Sequence, residues 1–238
     1  MRPQHQYDDP LDQQAQAWMA GRFGPTRSTR FSRWLAQHGS DCAKRTLDIG
    51  VAGGLLLLLL PLWLAIAALI RLDGGPALYW QSRVGRWGRE FRFPKFRSMV
   101  VDSDRLRVQL ESTNEHGGNG VTFKLENDPR ITRVGRWLRR TSLDEMPQLW
   151  CVLTGDMSLV GPRPALPAEV ARYTVAQRRR LEATPGLTCI WQVSGRSQIP
   201  FEGQLVMDLE YIRTRSFRLD LVLLLKTIPA VLVGRGAA

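Results

Sequence analysis

The sequence predicts a mixed, helix-rich α/β domain joined to a membrane-embedded helix-break-helix. Three observations predict it. Residues 49–70 form a 22-residue stretch without a charge, with Pro61 near its middle. Beyond it, short strand-like runs bounded by Gly and Pro alternate with helix-length segments. The whole chain has 238 residues, enough for one substantial core plus a membrane segment.

At 1.5 Å per residue, a straight helix over 49–70 would reach about 33 Å and could cross the hydrocarbon core. It starts far from Met1, and no small-residue cleavage site followed by a mature secreted chain is apparent, so it is not an ordinary signal peptide. Arg27, Arg30, Arg33, Lys44 and Arg45 precede it, and Arg71, Arg83, Arg86, Arg89 and Arg92 follow it. Positive flanks prefer the cytoplasm, and a spanning helix would put one of these outside. Pro61 removes a backbone donor and crowds the preceding turn, so it kinks a helix. Two basic flanks and a central proline therefore predict a re-entrant hairpin. A single kinked span and a buried core helix are the competing readings.

The remaining elements follow in order. Residues 1–40 are rich in Gln, Asp, Arg and Ser and read as a mostly disordered or loosely docked extension. Residues 41–72 are the broken membrane segment. From 73 to 238 runs a folded domain, opened by the turn Asp73-Gly74-Gly75-Pro76. Residues 77–81 and 90–93 read as strands around a Gly-rich turn at 84–88, and 101–111 as helical. Residues 112–120 form a loop. Helices are expected over 130–140, 145–153 and 166–183, a strand over 187–193, and two closing helices near 200–214 and 219–233. The last is Leu-rich with Lys226 and reads equally as an interfacial helix or a packing helix.

Lys and Arg number 33 against 22 Asp and Glu, a formal charge of +11. Such a chain expects anionic partners: nucleic acid, acidic lipid head groups or phosphorylated substrates. A solvated basic surface is the plain alternative. Three scattered cysteines, Cys42, Cys151 and Cys189, argue against a disulfide framework. His5, His38 and His116 have no ligand spacing, which argues against a zinc site. No GxxxxGK[ST], GxSxG or strand-to-helix GxGxxG occurs, so ATP hydrolysis, the nucleophile-elbow hydrolases and Rossmann cofactors lose support.

The chemistry concentrates at Thr141-Ser142-Leu143-Asp144-Glu145-Met146-Pro147-Gln148. Ser142 and Glu145 have capping-box spacing, and Pro147 suits a first helical turn. Two carboxylates at a helix N-terminus would stay ionised, so Asp144 could act as a nucleophile. A phosphorylated substrate beside two carboxylates needs a cation between them, and Mg²⁺ is the natural one. Arg130, Arg133, Arg136, Arg139 and Arg140 precede the pair, several of them on one helical face. Lys95 and Arg97 stand in Pro94-Lys95-Phe96-Arg97, and Arg163 stands in the rigid turn Gly161-Pro162-Arg163-Pro164. Each cluster alone reads as a solvated surface. Together, beside a membrane segment, they favour a phosphorylated substrate at the membrane face.

These motifs resemble the bacterial sugar transferases, also called monotopic phosphoglycosyl transferases or polyprenyl glycosylphosphotransferases, over residues 44–234. The matches are Lys44-Arg45-x-x-Asp48, Gln81-x-Arg83-Val84-Gly85-Arg86, Lys95-Phe96-Arg97-Ser98-Met99 and Asp128-Pro129-Arg130-Ile131-Thr132. Ser142-Leu143-Asp144-Glu145 with Pro147-Gln148-Leu149 forms the core signature, followed by residues 155–164, Pro185-Gly186-Leu187-Thr188 and Trp191-Gln192-Val193-Ser194-Gly195-Arg196.

The resemblance implies an α/β catalytic domain on the cytosolic face of the inner membrane, with a re-entrant helix broken at Pro61. It implies an enzyme of class 2.7.8 that moves a sugar 1-phosphate from a UDP-sugar to polyprenyl phosphate. Asp144 would form the covalent phosphosugar and release UMP, and Glu145 would hold Mg²⁺. Lys95, Arg97, Arg139, Arg163, Gln192 and Arg196 would bind substrate, and Asp208 would be a further metal ligand. Implied partners are anionic membrane lipids and downstream glycosyltransferases, with homo-oligomers left open and no nucleic acid. The sequence departs from the family pattern at Leu60, where some members have Ser, and at Cys151 and Cys189, where Asn and Gly are usual. It has the form of a minimal catalytic member. Two other readings stand beside the enzyme: a non-catalytic membrane scaffold of the same fold, and a membrane-anchored nucleic-acid binder, for which no helix-turn-helix, zinc or RNP signature is present.

Overall fold

Helix α1, Arg27–Leu58, turns by 60° at Leu59 into α2, Leu60–Leu72. Pro61 sits in the first turn of α2, where its missing N–H costs least, and its ring denies the carbonyl of Leu57 a partner. Leu59 N still donates to Leu55 O and Trp63 N to Leu59 O, both at 2.9 Å, so the bend is confined to the proline turn. The computed structural model describes residues 27–103, 105–106 and 128–233. The expected loop 112–120 and most of the helix 101–111 lie outside the described residues, as do residues 1–26 of the expected extension. Residues 27–40 of that extension belong to α1.

Among the described residues, no single helix is long and apolar enough to cross a membrane. Asp41–Leu58 and Leu60–Leu72 together are, by length and composition. One face of the bent pair packs inward. Ala52 joins the main core, and Ile66 and Ile70 pack with Phe96 and Leu138 in a second cluster. Trp63 meets Phe96 edge to face, with ring centroids 6.0 Å apart. The other face leaves Leu57, Leu58, Leu64 and Leu72 exposed.

Three polar residues lock α1 to the domain. Lys44 Nζ donates to Asp220 at 2.6 Å and to Val160 O at 2.9 Å. Arg45 donates to the carbonyls of Val152 and Leu153 at 2.6 and 2.7 Å, at the C-terminal end of a helix where carbonyls run short of intrahelical donors. Asp48 accepts from the backbone N–H of Leu159 at 3.0 Å.

Two small sheets hold the site. Strands β1, Leu78–Val84, and β2, Glu90–Phe96, form the expected antiparallel hairpin, with Leu78 opposite Phe96. Helix α3, Arg133–Arg140, and a 3-10 turn, Leu143–Gln148, lead into α4, Leu149–Thr154. Strand β3, Ser158–Val160, pairs parallel with β4, Gly186–Thr188. A methyl on Gly161 or Gly186 would run into the facing backbone, so this approach requires glycine at both positions.

Residues 166–183 do not form the single helix expected. They break into α5, Pro167–Val170, α6, Val175–Arg178, and a 3-10 turn, Arg179–Glu182. The cause is local: Thr174 and Gln177 make a reciprocal capping box that starts a new helix. Nor do residues 187–193 form one strand. β4 ends at Thr188, and α7, Ile190–Ser194, follows. Helices α8, Phe201–Thr214, and α9, Phe217–Val233, close the described chain. The result is a mixed, helix-rich α/β fold. Its main core gathers Phe91, Phe93, Leu149, Val152, Leu159, Val160, Tyr211 and Leu223 from both sheets and both closing helices.

Candidate functional site

The expected acidic pair lies on the 3-10 turn between α3 and α4. Ser142, the residue before the turn, has φ of 57°, a left-handed conformation that costs a non-glycine residue and reverses the chain sharply. The capping box expected from Ser142 and Glu145 does not form: Ser142 makes no side-chain cap. Glu145 is drawn elsewhere. Lys95 Nζ, at the end of β2, donates to its Oε1 at 3.0 Å. Arg163, in the turn after β3, donates through Nη1 to Oε2 at 3.3 Å and through Nη2 to Oε1.

The two carboxylates are shifted in opposite directions because their surroundings differ. Burial favours the neutral form of Glu145, but Arg163 and then Lys95 outweigh it and hold the group well below the usual carboxylate range. Asp144 is 7% exposed. Burial raises its pKa above the usual value, and Lys95 and Arg139 offset this only in part while Glu145 adds to it. The expectation that a helix N-terminus alone would keep Asp144 ionised is therefore corrected. A six-residue 3-10 turn offers little dipole, and the balance falls to the neighbouring cations.

A single large cleft of ≈ 1880 Å³ gathers the site. Asp144, Glu145, Lys95, Arg97, Arg139, Arg163, Gln192 and Arg196, all named from the sequence, line it. Their roles within it separate. Arg139 Nε donates to Ser98 Oγ at 2.9 Å, across a contact so close that a methyl on Gly135 would strike the Ser98 backbone. Arg97 donates to Ile70 O at 3.0 Å, tying β2 to the end of α2. Arg196 Nη2 donates to Ala230 O at 2.7 Å, tying the loop after α7 to α9. Gln192 Oε1 accepts from the Cys189 thiol at 3.0 Å. Cys189, where the family pattern expects Gly, is wholly buried, and burial pushes its thiol pKa up.

Two further residues named from the sequence are partners in buried ion pairs. Asp208, expected as a further metal ligand, is 0% exposed, pairs with Arg180 at 2.6 Å and is not among the residues lining the cleft. Arg130 is not on the helical face expected for it. It precedes α3 and pairs with Asp128 at 2.6 Å, both side chains buried. Arg133, Arg136 and Arg140 are exposed on α3, whereas Arg130 and Arg139 line the cleft.

Sequence reading missed Arg83 and Arg180, which also line the cleft. Arg83 donates to Pro164 O at 3.0 Å, next to Arg163, and to Gln81 Oε1 at 2.8 Å. Its guanidinium lies over the Phe93 ring at 5.2 Å, while Lys95 Nζ lies 5.5 Å from the same ring. Burial, with Arg163 adding to it, lowers the Arg83 pKa to about 10. The Gln81-x-Arg83 spacing on one face of a strand was the available signal.

The donor set bears on a metal ion. Among the described residues, no group of three or more His, Cys, Asp or Glu side chains is placed to hold one. Asp144 and Glu145 supply hard oxygen donors, and a pair of carboxylates suits Mg²⁺ shared with substrate phosphates. The residues fit that use and no fuller cage.

The model of one protein family, bacterial sugar transferase, matches residues 39–234. The chain is 44% identical over 210 residues to the UDP-galactose-lipid carrier transferase of Erwinia amylovora, covering 87% of this chain and 44% of that protein. It is 41% identical over 198 residues to the exopolysaccharide production protein ExoY of Rhizobium meliloti, covering 82% and 88%. It is 36% identical over 242 residues to the undecaprenyl-phosphate glucose phosphotransferase of Komagataeibacter xylinus, covering 95% and 43%. The chain spans less than half the length of several of the curated relatives it matches.

Proposed function

Because the chain belongs to the bacterial sugar transferase family, we propose that it transfers a sugar 1-phosphate from a UDP-sugar to a polyprenyl phosphate at the cytoplasmic face of a bacterial inner membrane. Relatives named for undecaprenyl-phosphate galactose and glucose phosphotransfer support the reaction class and favour a hexose donor. One observation carries the reading most: Asp144 lines the cleft beside a carboxylate already braced by Lys95 and Arg163.

In the first step, an Asp144 carboxylate oxygen attacks the phosphorus that bears the sugar, and the bond from that phosphorus to the UMP oxygen breaks. UMP leaves, and the sugar phosphate stays on Asp144. In the second, a phosphate oxygen of the lipid attacks the same phosphorus and expels the Asp144 carboxylate. Glu145 would hold Mg²⁺, which when bound neutralises charge on the diphosphate. Lys95, Arg139 and Arg163 hold phosphate oxygens and favour the ionised form of Asp144 against its burial. Arg97, Gln192 and Arg196 complete the cleft wall around the donor.

The bent pair α1–α2 enters and leaves the bilayer on one side. Residues 49–58 and 60–72 would measure about 15 and 20 Å as helices, and each falls short of a core of about 30 Å. The domain from residue 73 onward stands at the surface, with basic side chains toward anionic lipids.

The test is a panel of UDP-sugars with undecaprenyl phosphate, scored by UMP formation and by mass spectrometry of quenched protein. The wild type should release UMP from at least one hexose donor and carry a phosphosugar on residue 144. Asp144→Asn should do neither. Turnover by clean Asp144→Asn protein sinks the nucleophile.

A further inference from the structure

The cleft is lined by two chemically distinct sets of side chains. One comprises Asp144 with Lys95, Arg139 and Arg163. The other is apolar, made of Leu221, Leu225 and Ile228 of α9 and of Val51 and Leu55 of α1. Leu225 and Ile228 are 67% and 58% exposed. Adjoining exposed apolar side chains of this kind are unfavourable in water and mark a surface that something covers.

The α9 part of this apolar lining is fastened to neighbouring elements. The hydroxyls of Thr188 and Thr227 hydrogen-bond at 2.8 Å, joining β4 to α9. Arg196 donates to Ala230 O on the last described turns of α9, and Lys44 pairs with Asp220 near its start. A helix that merely floats at a bilayer surface needs no such ties to strand and loop ends beside the reacting groups. The ties fasten the helix that carries these apolar side chains to β4, to the Arg196 loop and to α1. Val51 and Leu55 belong to the charge-free stretch of α1, so the apolar lining includes part of the segment proposed to enter the bilayer.

We propose that this apolar lining is the seat of the acceptor's prenyl chain, running from Leu221 past Leu225 to Ile228. This rests on the reading of a polyprenyl phosphate acceptor. The two sets of side chains match the two ends of such a lipid: an anionic head among cations, and a hydrocarbon tail along aliphatic side chains. The tail thereby reaches the site from the bilayer without crossing water.

The experiment uses the full chain in detergent, with undecaprenyl phosphate and geranyl phosphate as acceptors and UMP release as the readout. The wild type should prefer the long chain. Leu225→Gln and Ile228→Asn, both exposed positions whose replacement spares the core, should each narrow the long-to-short ratio of kcat/KM by about tenfold, as expected for lost apolar contacts in a binding site. An unchanged ratio in both variants overturns the proposal, as does an equal loss on both acceptors. Weakened co-sedimentation with acceptor-free phospholipid vesicles and an unchanged ratio would assign the face to bilayer lipid instead, and also overturns it. If the wild type turns over neither acceptor with any donor, the proposed function itself fails, an outcome separate from these.

Discussion

Lys95 Nζ reaches Glu145 at 3.0 Å from the far end of β2, and Arg163 reaches the same carboxylate from the turn after β3. Three separate chain segments are thereby pinned beside Asp144. Converting Glu145 to Gln keeps the shape and removes the charge that both cations share. Two mostly buried cations then face each other without an anion between them. Glu145→Gln should lower kcat by about 10²-fold or more, in line with the loss of one preorganised electrostatic group. The rate of UMP release, with circular dichroism to confirm folding, checks this. A variant within twofold of wild type would show that the pairing is incidental.

Arg83 is expected to matter without being foreseen. Its guanidinium bridges Gln81 and Pro164 while lying over Phe93, so it sets the turn that carries Arg163. Lysine keeps the charge but cannot make the planar fork. Arg83→Lys should reduce kcat/KM for the UDP-sugar about tenfold, mainly through KM, because displacing Arg163 loosens phosphate binding. Steady-state kinetics at fixed acceptor would show it. Full activity in Arg83→Lys would leave Arg83 as a surface charge.

What the sequence made legible was residue chemistry at short range. The Asp144-Glu145 pair, Lys95 and Arg163 could be named because their types and neighbours suit phosphate chemistry, and all four line one cleft. The β1–β2 hairpin was readable from alternation around a Gly-rich turn. Partnerships across long separations were not. Lys44 meets Asp220 across 176 positions, and nothing local signals it. The capping-box pattern at Ser142 and Glu145 was a local preference overridden by two ion pairs from elsewhere. Residues 187–193 read as a strand because a short apolar run does not distinguish a buried strand from a buried helical turn. Nor did anything local signal that Asp208 would pair with Arg180, itself placed by the broken helix before β4.

That buried pair has a consequence for stability. Burial raises the Asp208 pKa to about 6, and Arg180 pulls it back only in part. In the unfolded chain the group titrates near about 3.9. Between these values the folded state keeps a proton that the unfolded state has released, so stability falls as pH rises from about 4 to about 6, by about 3 kcal/mol at most. Asp208→Asn cannot titrate there. The difference in thermal midpoint between wild type and Asp208→Asn should therefore shift against the wild type across that window and level off above it. A difference independent of pH from 4 to 7 would contradict the raised value.

The bend at Leu59 makes a topological prediction that the protein's own cysteines help to test. Cys42 is exposed on the N-terminal arm, whereas Cys151 and Cys189 are buried. Burial pushes the Cys151 thiol up to about 12 and raises that of Cys189 as well, so neither should react at neutral pH. Cys42 is thus a native reporter for one arm. For the other, Gly75 is a poor site, because its φ is +80° and a side chain would run into Arg97. Leu72, 82% exposed at the end of α2, accepts a cysteine readily. In inside-out and right-side-out vesicles, an impermeant maleimide should label Cys42 and Leu72→Cys from the same, cytoplasmic face. With Pro61→Ala the helix can straighten over residues 49–70, long enough to cross, and a share of position 72 should move to the opposite face. Opposite-face labelling in the parent protein would instead mean that 60° of bend only tilts a spanning helix.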